Sequence, residues 1–185
     1  MYDVRCTMYD VRCTMYDVRC TMYDVRCTMY DVRCTMYESY IINNQTMTIQ
    51  EIENQLVGEF ASVDDWLDKY DLILDMGKSL PPIDPKYKTD KYIISGCQSK
   101  VWLFAEYREG KVYFMADSDA IITKGIVSML VSVLSGQTPD AIQSAELNFI
   151  DRIGLKEHLS PTRSNGLASM VKQMKLYAMV FKMKG

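Results

Sequence analysis

Cys97 lies in the run Ile94-Ser95-Gly96-Cys97-Gln98-Ser99-Lys100-Val101-Trp102, among neighbours that allow a thiol to react. Gly96 leaves room for a close approach. Ser95, Gln98 and Ser99 can donate hydrogen bonds to a thiolate, and Lys100 is near enough in sequence to favour the ionised sulfur, the form that attacks. A lone cysteine is by default a small buried hydrophobe. The polar, glycine-containing setting of this one points to a reactive thiol.

The other candidates for chemistry are few. His158, the single histidine, sits in Leu155-Lys156-Glu157-His158-Leu159-Ser160-Pro161. Together with Cys97 it raises a standalone thiol hydrolase or transferase as one hypothesis; as a lone histidine in a polar stretch it reads first as a surface residue or one that supports a site from behind. One such cysteine and one histidine do not supply three protein ligands to a metal, and an iron–sulfur cluster usually takes several thiolates, so no metal is expected. Neither a P-loop nor a G-x-G-x-x-G dinucleotide motif occurs. Arg163, in Ser160-Pro161-Thr162-Arg163-Ser164-Asn165-Gly166, stands just ahead of a helical pattern and is suited to a partner's acid or a sulfur anion. Asp117 and Asp119 read as helix caps first and interface residues second.

The elements that must position these residues fall into three groups. Thr48 and Glu51 have capping-box spacing before Ile52, Leu56 and Phe60, which predicts a first helix. Ser62-Val63-Asp64-Asp65 opens a second, with Trp66, Leu67, Tyr70, Ile73 and Leu74 as its stripe. It should end near Gly77, because Pro81, Pro82 and Pro85 forbid continuation; 81–90 then reads as a surface loop. Three strands follow, at Tyr92-Ile93-Ile94, 101–107 and 112–116, the last two joined by a tight Glu109-Gly110 turn. Asp117-Ser118-Asp119 is placed to cap a helix over 120–134 whose apolar positions nearly encircle it, as in a buried central helix. That helix is too short, and too interrupted by polar residues, to cross a membrane. Thr138-Pro139 starts a short helix, and Leu167, Met170, Val171, Met174, Ala178 and Phe181 give the final helix a clear 3.6-residue period. The expected class is α+β: a small antiparallel three-stranded sheet packed against helices.

Ahead of this domain stand five identical copies of Met-Tyr-Asp-Val-Arg-Cys-Thr over residues 1–35, with a sixth failing after Met36-Tyr37. They hold five of the six cysteines. A period of seven suits a coiled coil, but Tyr, Asp, Val, Cys and Thr are mediocre helix formers. An odd period also moves each residue type to the opposite face of a strand in the next copy. Copies without one substitution point to a recent duplication or an upstream mis-start. Residues 1–46 are therefore expected to be a disordered or non-native tract and linker, and 47–185 the working domain. With 21 Lys and Arg against 24 Asp and Glu, and a net charge of −3, the chain is not one that attracts nucleic acid.

The motif Gly96-Cys97-Gln98-Ser99 with Val101-Trp102 is followed by Asp117-Ser118-Asp119-Ala120 with Lys124-Gly125. Next comes Leu159-Ser160-Pro161-Thr162-Arg163-Ser164-Asn165-Gly166-Leu167. In this order the three resemble the SufE family of sulfur-acceptor proteins, from about Met47 to near the C-terminus. The resemblance implies an α+β fold related to iron–sulfur scaffold proteins. It further implies that Cys97 takes persulfide sulfur from a cysteine desulfurase, stimulates it, and passes the sulfur to an iron–sulfur assembly scaffold or another acceptor. Pyridoxal phosphate would belong to the desulfurase; this chain would carry no cofactor beyond a transient cysteine persulfide and would turn over no small substrate alone. Asp117, Asp119, His158 and Arg163 are the partner-contact candidates, and a monomer or weak homodimer is expected. A resting Cys97 should turn inward, into a pocket supplied by Ile93, Ile94, Val101 and Leu103. A reactive thiol, with no signal peptide or membrane span, suggests the cytoplasm.

Overall fold

A computed structural model of the chain describes residues 47–184, so the expectations for the repeat tract and its linker lie outside the described residues. Helix α1 (Ile49–Ala61) begins with a capping box: Glu51 N–H donates to Thr48 Oγ1 (3.3 Å) and Thr48 N–H to Glu51 Oε2 (2.7 Å). It buries Ile52, Leu56 and Phe60. Asp65 caps α2 (Trp66–Ser79) by accepting from Leu67 N–H, and the helix runs two residues past Gly77 before the prolines stop it. Gly77 has a role inside the helix. A Cβ there would lie 2.9 Å from the Gly125 nitrogen, and one on Gly125 would lie 2.2 Å from the Ile73 carbonyl oxygen. Two glycines thus bring the backbone of α2 against that of the later helix carrying Gly125, where any side chain would force them apart.

The sheet has two strands, β1 (Val101–Arg108) and β2 (Lys111–Ser118), in antiparallel register from Val101 opposite Ser118 to Arg108 opposite Lys111. Glu109 and Gly110 both take positive φ (52° and 78°), as a two-residue turn matched to strand twist requires. The third predicted strand is reduced to a single bridge between Ile93 and Trp102. Asp90–Tyr92 winds into a 3-10 turn and Gly96 turns the chain again at φ 91°, which leaves too short an extended stretch for a strand.

A two-stranded ribbon is marginal by itself and needs both faces covered. On one face Val101, Leu103, Ala105, Phe114 and Ala116 pack on the core, against α3 (Ile121–Leu134). On the other, Phe104 stacks on Tyr87 with ring centroids 3.8 Å apart, and Tyr92 meets it edge-on. The 81–90 segment is therefore more than a surface loop. It buries Ile83 and lays Tyr87 on the sheet.

Helix α3 is buried along nearly its whole length, from Gly125 through Leu134, as its encircling apolar residues imply. After it come α4 (Pro139–Ser144), capped by Thr138, and α5 (Phe149–Arg152). The long α6 (Pro161–Lys182) buries Leu167, Met170, Met174 and Ala178, following the period in the sequence. Its Tyr177 hydroxyl donates to the Leu103 carbonyl (3.2 Å), which ties α6 to β1.

Candidate functional site

Cys97 sits on a six-residue loop, 95–100, whose two ends are hydrogen-bonded across its base: Ile94 N–H donates to the Val101 carbonyl at 2.8 Å. The downstream end is held more firmly. Lys100 N–H donates to Asp119 Oδ1 (2.9 Å), and the Lys100 carbonyl accepts from the Ser118 hydroxyl (2.9 Å) and Asp119 N–H (3.2 Å). Both backbone groups of Lys100 are thus bonded to the short connection between β2 and α3. Asp119 does not cap α3 as expected, because its carboxylate is engaged by this loop. The helix instead starts from Ala120 with no side-chain cap, and Ser118 accepts from Ala120 N–H (3.2 Å).

The tip of the loop rests on α6. A Cβ on Gly96 would come within 2.6 Å of Ser169 Oγ, and the positive φ there also disfavours any larger residue. Cys97 Sγ–H donates to the Gly166 carbonyl at 3.6 Å, a weak bond. Nearby, the Thr123 hydroxyl of α3 meets the Ser99 hydroxyl at 3.4 Å. Cys97 is half-buried and packs against the core.

A cavity of about 510 Å³ opens beside the sulfur. The first turns of α3 (Ile121, Ile122, Thr123) and α6 (Thr162, Arg163) both line it, together with Gln98, Ser99 and Asp119. The inward-turned thiol was expected to find its pocket among Ile93, Ile94, Val101 and Leu103; the walls come instead from two helices, with Ile126 and Met170 as the apolar floor. Helix N-termini carry partial positive charge and Arg163 adds a full one, while the Asp119 carboxylate on the same wall opposes them, so the cavity has charges of both signs at its mouth. At the sulfur itself the balance is different. Burial pushes the Cys97 thiol up from its ordinary value, and Lys100, expected to favour the thiolate, does not offset that. The resting thiol is protonated at neutral pH.

The remaining sequence candidates divide. Asp119 and Arg163 lie at the cavity with Cys97. Asp117 does not: only 5 % exposed, it bonds Lys88 Nζ (2.5 Å), Lys124 Nζ (3.0 Å) and Ser118 N–H (2.9 Å). Burial alone would push its carboxyl up, but these bonds outweigh it and hold the group below the usual carboxylate range. Asp117 is therefore neither a cap nor an exposed contact; it ties the 81–90 segment and α3 to the end of β2. His158 is not at the cavity either. Its ring stacks on Trp66 with centroids 3.5 Å apart, and its Nδ1 lies 3.2 Å from the Gly154 carbonyl. A Cys–His enzyme needs the two side chains within hydrogen-bonding reach, and this fold does not bring them together.

Sequence reasoning passed over Gly166, Ser169 and Ile121 as site residues, and all three border the loop or cavity. Two signals were present. A glycine inside a helical period usually has a packing or functional reason, and the apolar residues around α3 exceed what one helix can bury. One of them, Ile121, is 71 % exposed at the cavity wall.

Comparison with known proteins places the chain in a family. Residues 54–178 match the family model SufE, described as an Fe-S metabolism associated domain. A SufE-like protein 1 of Arabidopsis thaliana, chloroplastic/mitochondrial by its name, is 38 % identical over 132 residues, covering 71 % of this chain and 36 % of that protein. This chain thus spans about a third of the Arabidopsis relative's length. An uncharacterized SufE-like protein of Rhizobium meliloti is 34 % identical over 127 residues, covering 66 % of this chain and 91 % of the relative. A solution structure of a hypothetical protein from Thermus thermophilus shares the fold, with a TM-score of 0.59 at 22 % identity over 69 % of this chain and 93 % of that one. The α+β class is as expected, with two strands in place of three, and no helix among the described residues is long and apolar enough to cross a membrane. The chain belongs to the SufE family, and its domain is of the kind associated with Fe–S metabolism.

Proposed function

We propose that this protein is a sulfur acceptor, with Cys97 as the residue that carries the sulfur. The donor is a cysteine desulfurase bearing a persulfide and holding its own pyridoxal phosphate. The Cys97 thiolate attacks the terminal sulfur of that persulfide, a new S–S bond forms at Cys97, the donor's S–S bond breaks, and the donor leaves as a thiolate. This is thiol–disulfide exchange, with no net oxidation and no cofactor on this chain. The sulfur then moves, by the same exchange, to an iron–sulfur assembly scaffold or another acceptor, and its removal lets the desulfurase turn over again.

The observation that carries this reading is the seat of Cys97. One thiol stands at the edge of a 510 Å³ cavity, on a loop pinned at its base and only lightly held at its tip. A persulfide formed there is sheltered from small reductants, and a docked protein can reach the sulfur by lifting the tip. The raised thiol value fits a carrier that is idle alone. Ionisation follows when a partner displaces the Gly166 contact and the helix N-termini and Arg163 face the sulfur anion. A free thiol of this kind persists in a reducing compartment.

The test is to incubate the full chain with a cysteine desulfurase and cysteine, then locate added sulfur by peptide-resolved mass spectrometry. Sulfur on the Cys97 peptide, together with faster desulfurase turnover, is the expected result. Replacing Cys97 by Ser should remove both, reducing stimulation about tenfold or more, since a hydroxyl is a far weaker nucleophile towards sulfur. Active desulfurase with Cys97 left unmodified would sink the reading. Cys6, Cys13, Cys20, Cys27 and Cys34 should be replaced by Ser in a parallel sample, so that sulfur picked up by other thiols is not mistaken for the relay.

A further inference from the structure

Position 166 lies inside α6 with ordinary helical backbone, where alanine is the better helix former, so conformation does not call for glycine there. What sets the position apart is its neighbour. A Cβ on Gly166 would stand 3.5 Å from Cys97 Sγ, 3.8 Å from its Cα and 3.9 Å from its Cβ, the three nearest atoms it would meet. For a thiol those are ordinary van der Waals contacts. For a persulfide they are not neutral, because the second sulfur projects about 2.05 Å beyond Sγ and must occupy space on a side not filled by backbone. Gly166 also forms part of the cavity wall at this point.

We propose that Gly166 is a specificity-determining residue for the persulfidated state: the missing side chain reserves room beside Sγ for the sulfane sulfur while the 95–100 loop stays in its resting place. The inference rests on the sulfur-acceptor reading of Cys97. When the new S–S bond forms, Sγ no longer carries a proton, so its bond to the Gly166 carbonyl is given up. The terminal sulfur, as S–H or as an anion, turns into the cavity towards Thr162, Arg163 and Thr123. An alanine at 166 leaves the thiol form intact and crowds only the loaded form.

The experiment compares the full chain with its Gly166→Ala variant, both carrying Ser at the five repeat cysteines. Each is loaded in two ways: by a cysteine desulfurase with cysteine, and by inorganic polysulfide with no desulfurase. Gly166→Ala is expected to melt at the same or a higher temperature and to hold sulfur on the Cys97 peptide at about one-fifth of the parent's occupancy or less, in both arms. Equal occupancy overturns the proposal. So does a fall in occupancy accompanied by a fall in melting temperature, which is a packing defect. Should the parent itself fail to take sulfur from the desulfurase while accepting it from polysulfide, the sulfur-acceptor reading fails, and the polysulfide arm still decides on Gly166. A second measurement needs no variant: hydrogen exchange across 95–100 should be the same in the thiol and persulfide forms of the parent. Faster exchange on loading would mean that the loop has to move to make room, and would also overturn the proposal.

Discussion

At the scale of single residues, the chemistry of Cys97 follows from desolvation. A thiol raised by burial is protonated through the neutral range, so its reaction with a small alkylating reagent should lag well behind that of the denatured chain. The rate in the folded protein should climb only above about pH 8.5, the ordinary thiol value. The same shift has a stability consequence of definite sign. A raised folded value means that the fold binds the thiol proton more tightly than the unfolded chain does. Its contribution is fully present below about pH 8.5 and is lost as pH rises through the folded value. The unfolding free energy of the parent, minus that of Cys97→Ser, should therefore decline over that range in denaturant titrations. A difference that grew with pH would contradict the burial argument. That Cys97 has polar, glycine-containing surroundings was legible from Ser95, Gly96, Gln98 and Ser99, but the protonation state of its thiol was not. Lys100 is near in sequence, yet it contributes through its backbone, whose N–H and carbonyl are both bonded to 118–119. Sequence proximity does not say which part of a residue faces its neighbour.

At the scale of elements, the Cys97 loop owes its position to the connection between β2 and α3, and that connection owes its own to Asp117. This carboxylate joins three pieces of chain: Lys88 from the segment before β1, Ser118 at the end of β2, and Lys124 in the first turns of α3. Asp117→Asn keeps the shape and removes the charge. It should cost about 1–3 kcal/mol, a buried-pair figure reduced because both lysines are partly exposed. Because the folded carboxyl is held low, its contribution is present above about pH 3.9 and disappears as pH falls through the folded value. The gap in unfolding free energy between parent and variant should therefore close in acid; a gap that persisted there would assign the loss to packing. Periodicity made α1, α2, α3 and α6 legible in the sequence, since each has a stripe or a cap that only a helix satisfies. The β1–β2 hairpin was legible for the same reason, through Glu109-Gly110. What escaped was decided between elements. Tyr92-Ile93-Ile94 is strand-like in composition but is cut short by a 3-10 turn that takes Tyr92 and leaves Ile93 one bridge, and Asp117 and Asp119 look like caps but are claimed by lysines and by the loop. Local propensity identifies what a segment can do; competition among neighbours selects which of these it does.

At the scale of the whole molecule, the sulfur-acceptor proposal requires recognition of a partner with little net charge to work with. A chain at −3 generates a weak overall field, and surface ion pairs such as Lys78–Asp75 and Lys156–Asp151 cancel locally. Long-range steering is thus a poor candidate for bringing donor and acceptor together. The cavity mouth offers something else: Ile121, 71 % exposed in the first turn of a helix that is otherwise buried from Gly125 onward, beside the charged Arg163 and the thiol. A large apolar side chain exposed at the wall of the cavity that Cys97 also lines is the kind of anchor that gains most when a partner covers it. Full burial of such a side chain is worth about 1.5–3 kcal/mol, of which alanine retains a part. Ile121→Ala should therefore raise the concentration of this protein that half-saturates desulfurase stimulation by about tenfold, equivalent to about 1.4 kcal/mol. The maximal stimulation should stay unchanged, because the residue touches neither Cys97's hydrogen bond nor the loop's base. Added salt should move the parent's half-saturating concentration by less than about threefold across the range in which the Debye length falls from about 10 to about 3 Å. A strong salt dependence with no effect at Ile121 would assign docking to Arg163 and its charged surroundings; the opposite pattern is the one this surface predicts.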